Sequence, residues 1–373
     1  MAATTERTIM ASNDGARKSH SSISRRSVLA GGATIAAASL AGCSSSGGCG
    51  SSNGSSTSSS GTSQKTTKIH SLMLEGSMFD PVFFYGREQN VWENRGIDLS
   101  LEVTGFGKFT RTFSQNLAKG ASPLSSLPLA GNLAGDTPVK CFGQTMNFIN
   151  QCFVAKDSDI QKPSDLKGKV LGVPGRGSST TRLYIAMWAD LYGFDLVNDP
   201  AKIVDASTST LYNFLDQGKE VDAALLFTSS TIKAMANDNL RSIFDPVAEW
   251  EKSHGLPPQV TMFGAYNDFL DSDPGVVLDY WKGWTDAVDL FHKEFDTVVN
   301  NYGAVGGIDL SSDAEIAAVK QMASNDKLFR TTWNSDWVDT TVELFQLVAK
   351  HGGLDSAPGK DQFITTKQLE NKA

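Results

Sequence analysis

Pro163-Ser164-Asp165-Leu166-Lys167-Gly168-Lys169-Val170-Leu171-Gly172-Val173-Pro174 decides how this chain is read. Lys169 to Val173 has the short apolar, β-branched run of a buried strand, opened by a Gly turn and closed by Pro174. Gly175-Arg176-Gly177-Ser178-Ser179-Thr180 follows as a Gly/Ser turn, and Ser179 to Leu191 reads as a helix. A strand, turn and helix in that order set the free N–H groups of a first helical turn at a strand's carboxyl end. Ser178, Ser179 and Thr180 add hydroxyl donors, and Arg176 offers a guanidinium for a carboxylate, sulfonate or phosphate. No Lys follows the glycines at P-loop spacing. A capped helix start with Arg176 in solvent is the plainer reading of the same residues.

Working outward, strands and helices alternate. Strand-like runs stand at Lys68–Glu75, Ile97–Val103, Val139–Phe142, Cys152–Ala155, Lys202–Val204 and Ala223–Phe227. Helical runs stand at Pro81–Glu93, Thr110–Lys119 and Ser209–Gln217. Such alternation predicts α/β lobes with largely parallel sheets and helices on both faces. After Asp273 the period changes. Val277, Trp281, Trp284, Val288, Phe291, Phe295 and Val298 step by three and four, as do Val338, Val342, Phe345 and Ala349 ahead of Gly352-Gly353. These aromatic stripes are read as core packing rather than as a ligand cage. Further loops after strands carry candidate ligand groups: Ser77, Met78 and Phe79 after the first strand, Ser125 and Ser126 after the third, and Phe227 and Thr228 after the Ala223 strand.

The Asp165-Leu166-Lys167-Gly168-Lys169-Val170-Leu171-Gly172-Val173 run resembles one found in the substrate-binding lipoproteins of ABC importers of the nitrate, sulfonate and taurine group (NMT1/THI5-like and SsuA-like proteins). The run from Leu211 through Gly218 and Asp222 to Ala224 is similar to their helix-then-strand run, and Asn94-Arg95-Gly96-Ile97-Asp98-Leu99 to an early strand start. No single motif is diagnostic; their order carries the resemblance, from about Ile69 to the C-terminal helix. It implies a two-lobed, type II periplasmic-binding-protein-like α/β fold that closes on a small, anionic organic ligand and delivers it to a membrane permease. One departure stands out: Lys119-Gly120-Ala121-Ser122-Pro123 lacks the acidic strand start common in the family, which puts the ligand contacts of the Ser125 loop in question. The expected division is 68–155 for the first part of lobe 1, 156–260 for lobe 2, and 261–373 for the return and C-terminal helices. Enzymes that make a thiamine pyrimidine precursor share the implied fold, with a His consumed, and His70 on the first strand keeps that alternative open. A ligand-sensing surface lipoprotein is another.

The N-terminus reads as an address. Arg25 and Arg26 precede an apolar stretch from Val28 to Leu40 that is too short to span a bilayer, and Leu40-Ala41-Gly42-Cys43 resembles a lipobox. Residues 1–43 are therefore expected to be a twin-arginine lipoprotein signal, with a lipid on Cys43 holding the chain to the outer face of a membrane. Residues 44–67 are almost wholly Ser, Gly and Thr, the composition of a flexible tether of about 25 Å reach. An ordinary signal peptide and an inconsequential tail are the blander readings.

A formal charge of −8, despite a basic leader, argues against nucleic acid, which demands a basic footprint. The five His residues fall in no acid–base, nucleophile or metal pattern, so no enzyme chemistry, cofactor or metal is expected. Cys141 and Cys152 lie in neighbouring strand-like runs; a disulfide between them and two reduced core thiols are both open.

Overall fold

The computed structural model describes residues 66–111, 120–324 and 327–373. The expected leader, Arg25, Arg26, Cys43, nearly all of the tether and most of the 110–119 helix lie outside the described residues. The chain from Thr62 onward forms one unit.

Among the described residues, ten strands lie in three hydrogen-bonded groups. β1 (Thr67–Leu74) and β2 (Ile97–Thr104) pair in parallel from Thr67↔Ile97 to Leu74↔Thr104. Ile97 and Leu99 are buried as the period-2 pattern predicts, but burial fades along the strand and Val103 is exposed. α1 (Phe79–Glu88) joins them; it stops earlier than expected because Asn90 takes a left-handed φ of 57°. β3 (Ala121–Ser125), β10 (Gln259–Tyr266) and β4 (Val139–Asn147) form the next group, with β10 antiparallel to both neighbours. Ser71 of β1 donates to the Ala121 carbonyl at 3.0 Å, which sets β1 beside β3. Together these strands make the first lobe.

The second lobe is a five-stranded sheet of β5 (Gln151–Ala155), β6 (Val170–Val173), β7 (Lys202–Asp205), β8 (Ala223–Leu226) and β9 (Leu240–Phe244). Their order across the sheet is β7-β6-β8-β5-β9. β6 runs parallel to both neighbours, while β5 is antiparallel to β8 and β9. The motif residues do local work here. Asp165 accepts from the Gln161 and Lys162 amides, stopping the turn before β6. Asp222 accepts from Val170 N–H at 2.7 Å, tying the two family-like runs together. A Cβ on Gly172 would lie 2.7 Å from the Leu211 side chain, so glycine here gives the helix Thr208–Asp216 a close seat on β6.

Among the described residues, two segments join the sheets of the two lobes. The first crossing is Phe148–Asn150, so β5 belongs to the second sheet and the lobe changes before the expected boundary at 155. The second runs through the helix Pro246–His254 to Pro258, and Phe148 N–H donates to the Pro258 carbonyl at 2.7 Å, bonding the crossings to each other. Cys141 and Cys152 fall on opposite sides of the first crossing. Of the two states left open for this pair, the structure has the free thiols: β4 pairs with β10 and β5 with β8 and β9, and both thiols are buried. Burial pushes the Cys141 thiol up to about 12 and Cys152 higher still, so neither is an activated nucleophile.

The long C-terminal stripe divides at Glu294 into the helices Pro274–Lys293 and Phe295–Tyr302. Trp284 stacks on Phe83 at 4.9 Å between centroids and meets Phe263 edge-on at 5.7 Å; Trp92 and Tyr280 complete this cluster. These rings fill the first lobe's core. The helix Ser335–Lys350 runs beside the second lobe, where Arg182 donates to the Gly353 carbonyl at 3.1 Å just beyond its end.

Candidate functional site

Strand pairing places the loops. Ser125, Thr261 and Met146 stand level across β3, β10 and β4, and β3 lies beside β1, so Ser77 and Ser126 follow strands that end at one edge of the first lobe. In the second lobe β6 and β8 end at the corresponding edge, with Gly175–Thr180 and Phe227–Thr228 beyond them. The loops after β1 and β8 meet directly. A Cβ on Gly307 would lie 2.7 Å from Ser229 Cβ and 3.3 Å from Gly76 Cα.

Each loop has a distinct character. Ser77 and Ser126 are fully buried, and neither hydroxyl has a hydrogen-bond partner among the described residues. Met78 and Phe79 are buried as well, but Phe79 packs on Phe83 and Phe109 at 6.3 and 6.4 Å and is a core residue. Ser178 caps the helix Ser179–Tyr192 by accepting from Thr181 N–H at 3.2 Å, and Ser179 is half-buried beside it. Arg176 does not serve the turn. Its guanidinium donates to the Ile203 carbonyl at 3.1 Å and its amide to Asp205, so the side chain lies exposed along β7. Accordingly, Arg176→Ala leaves the affinity for any anionic ligand unchanged within about twofold, as titration calorimetry will show.

The guanidinium near the turn is that of Arg182. It shares the helix face of Ser178 by the i, i+4 rule, and its Nη2 stands 3.9 Å from where a Gly177 Cβ would be. Arg182 was missed in the sequence because it lies inside the helix, beyond the Gly/Ser turn. A pocket of about 520 Å³ joins it to both lobes. Leu127, Pro128 and Gly131 line one side and Gly177, Ser178 and Ser179 the other, with the 352–356 loop closing the rim. The Ser126 loop and the Gly175–Thr180 turn are thus brought together.

Asn150, in the first crossing, joins the remaining loops. Its side chain donates to Thr180 Oγ1 at 3.5 Å and accepts from Thr228 N–H at 3.3 Å, while its carbonyl accepts from Tyr184 at 2.6 Å. Thr228 has φ 53° and ψ −135°, a strained conformation for a β-branched residue. Asn150 and Thr228 therefore couple the crossing to the loop ends. In the sequence Asn150 reads only as a polar break between strands.

Asp80 is the other residue that sequence reading missed. It is fully buried in the first turn of α1, and neither carboxyl oxygen has a hydrogen-bond partner among the described residues. Loss of hydration raises it to about 9, opposed by the backbone of Leu74. The unfolded chain loses this proton near pH 4, whereas the fold holds it to about pH 9. Stability from this group therefore falls as pH rises across that window and levels off above it. Asp80→Asn removes the slope: its melting temperature exceeds the wild type's by more at pH 9 than at pH 5 in a thermal melt.

His70 is bonded along β2, to Ser100 at 2.9 Å and Glu102 at 3.3 Å. Among the described residues no group of His, Cys, Asp or Glu is arranged to hold a metal ion, and no helix is long and apolar enough to cross a membrane.

Comparison with curated proteins gives no significant match. Solved structures of the same fold include the periplasmic aliphatic sulphonate binding protein SsuA from Escherichia coli, at TM-score 0.63 and 13% identity over 80% of this chain and 91% of that one. The alkanesulfonate-binding protein SsuA from Xanthomonas axonopodis pv. citri, bound to MOPS, matches at TM-score 0.61 and 12% identity over 81% and 99%. The desulfurization enzyme DSZB, as a C27S mutant with biphenyl-2-sulfinic acid, matches at TM-score 0.59 and 16% identity over 82% and 98%. Identities this low speak for the two-lobed fold alone. Residues 83–293, more than half of the sequence, match the family described as NMT1/THI5 like, and the chain belongs to that family.

Proposed function

We propose that this chain is an extracytoplasmic solute-binding lipoprotein of an ABC importer that captures a small anionic organic molecule between its lobes and passes it to a membrane permease. The observation that carries the proposal is the pocket between the Ser126 loop and the Gly177–Ser179 turn, where a helix N-terminus, two serines and Arg182 converge. Free amides of a first helical turn and a guanidinium attract a carboxylate or sulfonate by charge and by directed hydrogen bonds. The binding relatives of the same fold support this reading.

Export through Arg25 and Arg26 and a lipid on Cys43 belong to the same proposal, because a receptor gains from a tether that keeps its permease within a short local search. Cys43→Ala releases the protein from the membrane fraction into the medium; unchanged membrane association rules out the anchor. For ligand binding, a thermal-shift screen of alkyl sulfonates, carboxylates and nitrate is the direct test, since a bound solute raises the midpoint by mass action. Arg182→Ala weakens the best binder by roughly 10- to 100-fold, the value of a charge-assisted hydrogen bond. A flat screen, or turnover of a solute, overturns the proposal.

A further inference from the structure

Thr228 sits at φ 53° and ψ −135°, a region that glycine occupies freely and a β-branched residue enters only under strain. Such a conformation persists where the surroundings over-determine it. Here the Thr228 amide donates to Asn150 Oδ1 at 3.3 Å, and the hydroxyl donates to the Phe227 carbonyl at 2.7 Å. Asn150 is itself held, because its carbonyl accepts from the Tyr184 hydroxyl at 2.6 Å. A glycine at 228 would keep the amide bond to Asn150, so the strain comes from the Cβ and not from that bond.

The strain lies where the lobes meet. Thr228 joins β8 to the helix Ser229–Met235, so its two dihedrals set the direction in which that helix leaves the second sheet. The next residue faces the first lobe: Ser229 Oγ is 3.9 Å from where a Gly76 Cβ would be, and Ser229 also abuts Gly307. The segment at 307 is bonded to the first lobe, since Gly76 N–H donates to the Val305 carbonyl at 3.2 Å. Asn150 belongs to the first crossing, backbone of the kind that turns when lobes rotate about a hinge. The bond that fixes Thr228 therefore ties a hinge segment to the residue that aims Ser229 at the first lobe. Opening the lobes withdraws Ser229 from Gly76 and turns Asn150, which loosens both constraints on Thr228.

We propose that Thr228 takes its strained conformation only when the lobes close, so that part of the binding free energy of the solute is held as backbone strain and the closed receptor is primed to reopen. This rests on the solute-binding reading above and concerns how long that site keeps its ligand. Strain confined to the closed form opposes closure and leaves affinity below what the contacts alone would give. Removing it should tighten binding by roughly 5- to 100-fold.

Thr228→Gly in the whole protein tests this, with propanesulfonate, propionate and nitrate as probes and titration calorimetry and stopped-flow dissociation as readouts. The expected result is that the strongest binder of the three gains roughly 5- to 100-fold in affinity, nearly all of it as slower dissociation. The melting temperature of the free protein should stay level or fall slightly, since glycine adds freedom to the unfolded chain and the open form has no strain to lose. Thr228→Ala keeps a Cβ in the same conformation and should bind no more tightly than the wild type. Equal or weaker binding by Thr228→Gly overturns this inference and leaves the solute-binding reading standing. Tighter binding by Thr228→Ala as well assigns the gain to the lost hydroxyl and overturns it too. If none of the three probes binds the wild type or either variant, both readings fall.

Discussion

Gly307→Val is expected to weaken solute binding by at least about 100-fold while the protein remains folded. Gly307 has φ +78°, where a side chain is strained, and any Cβ there would press on Ser229 and Gly76. Those contacts lie where the first strand's loop meets the helix that follows β8, so a side chain at 307 acts as a wedge between lobes. Closure by hinge rotation needs that space. The strain itself costs about 1–3 kcal/mol and should lower the melting temperature by only a few degrees. A small change in stability with a large loss of affinity separates a blocked closure from simple unfolding. Ser229→Gly in the Gly307→Ala background should return part of the affinity, because it removes the atom that the new Cβ strikes. If Gly307→Val binds normally, the contact does not belong to the bound state.

Trp284→Ala is expected to cost about 3–5 kcal/mol of stability. The ring is fully buried, stacked on Phe83 and edge-on to Phe263 and Phe329, so its removal leaves a cavity in a rigid aromatic cluster. In a domain of this size the melting temperature should fall on the order of 10 °C. Trp284→Phe should keep most of the stability, since the indole N–H is buried without a partner among the described residues and its loss is no penalty. Affinity measured well below the melting point should be unchanged in both variants. A ligand cage at this position would show the reverse, lost binding with an unaltered melt.

Trp284 also illustrates what kind of signal a sequence carries. Its four-residue step from Tyr280 and Val288 repeats the helical period, so its burial was legible from spacing alone. The run from Asp165 to Val173 was legible for a related reason. Asp165 and Gly172 act on neighbours in the turn and the adjacent helix, and Asp222 closes the same strand start. Local chemistry of that kind leaves its mark on residue choice. For Cys141 and Cys152 local logic left a bridge and free thiols equally open; the chain changes lobes between them. Arg176 and Arg182 are equally plausible anion ligands by composition; the direction of the turn sends the first to β7 and leaves the second on the pocket wall. Asp80 gave no signal, because an acidic residue at a helix start is ordinary until its burial is known.

The sequence by itself determined the alternating α/β architecture, the strand-end loops, the helical core stripes and the family resemblance. Each depends on contacts between residues near in the chain or on a fixed period, which the order of residues encodes directly. Only the tertiary structure decided which loops meet, that Asn150 links Thr180 with Thr228, that Arg182 flanks the Gly177 turn, and that Asp80 is buried without a partner. Those facts depend on how two sheets are placed across two crossings. Burial and pairing are properties of neighbours brought from far along the chain, and no local pattern records them.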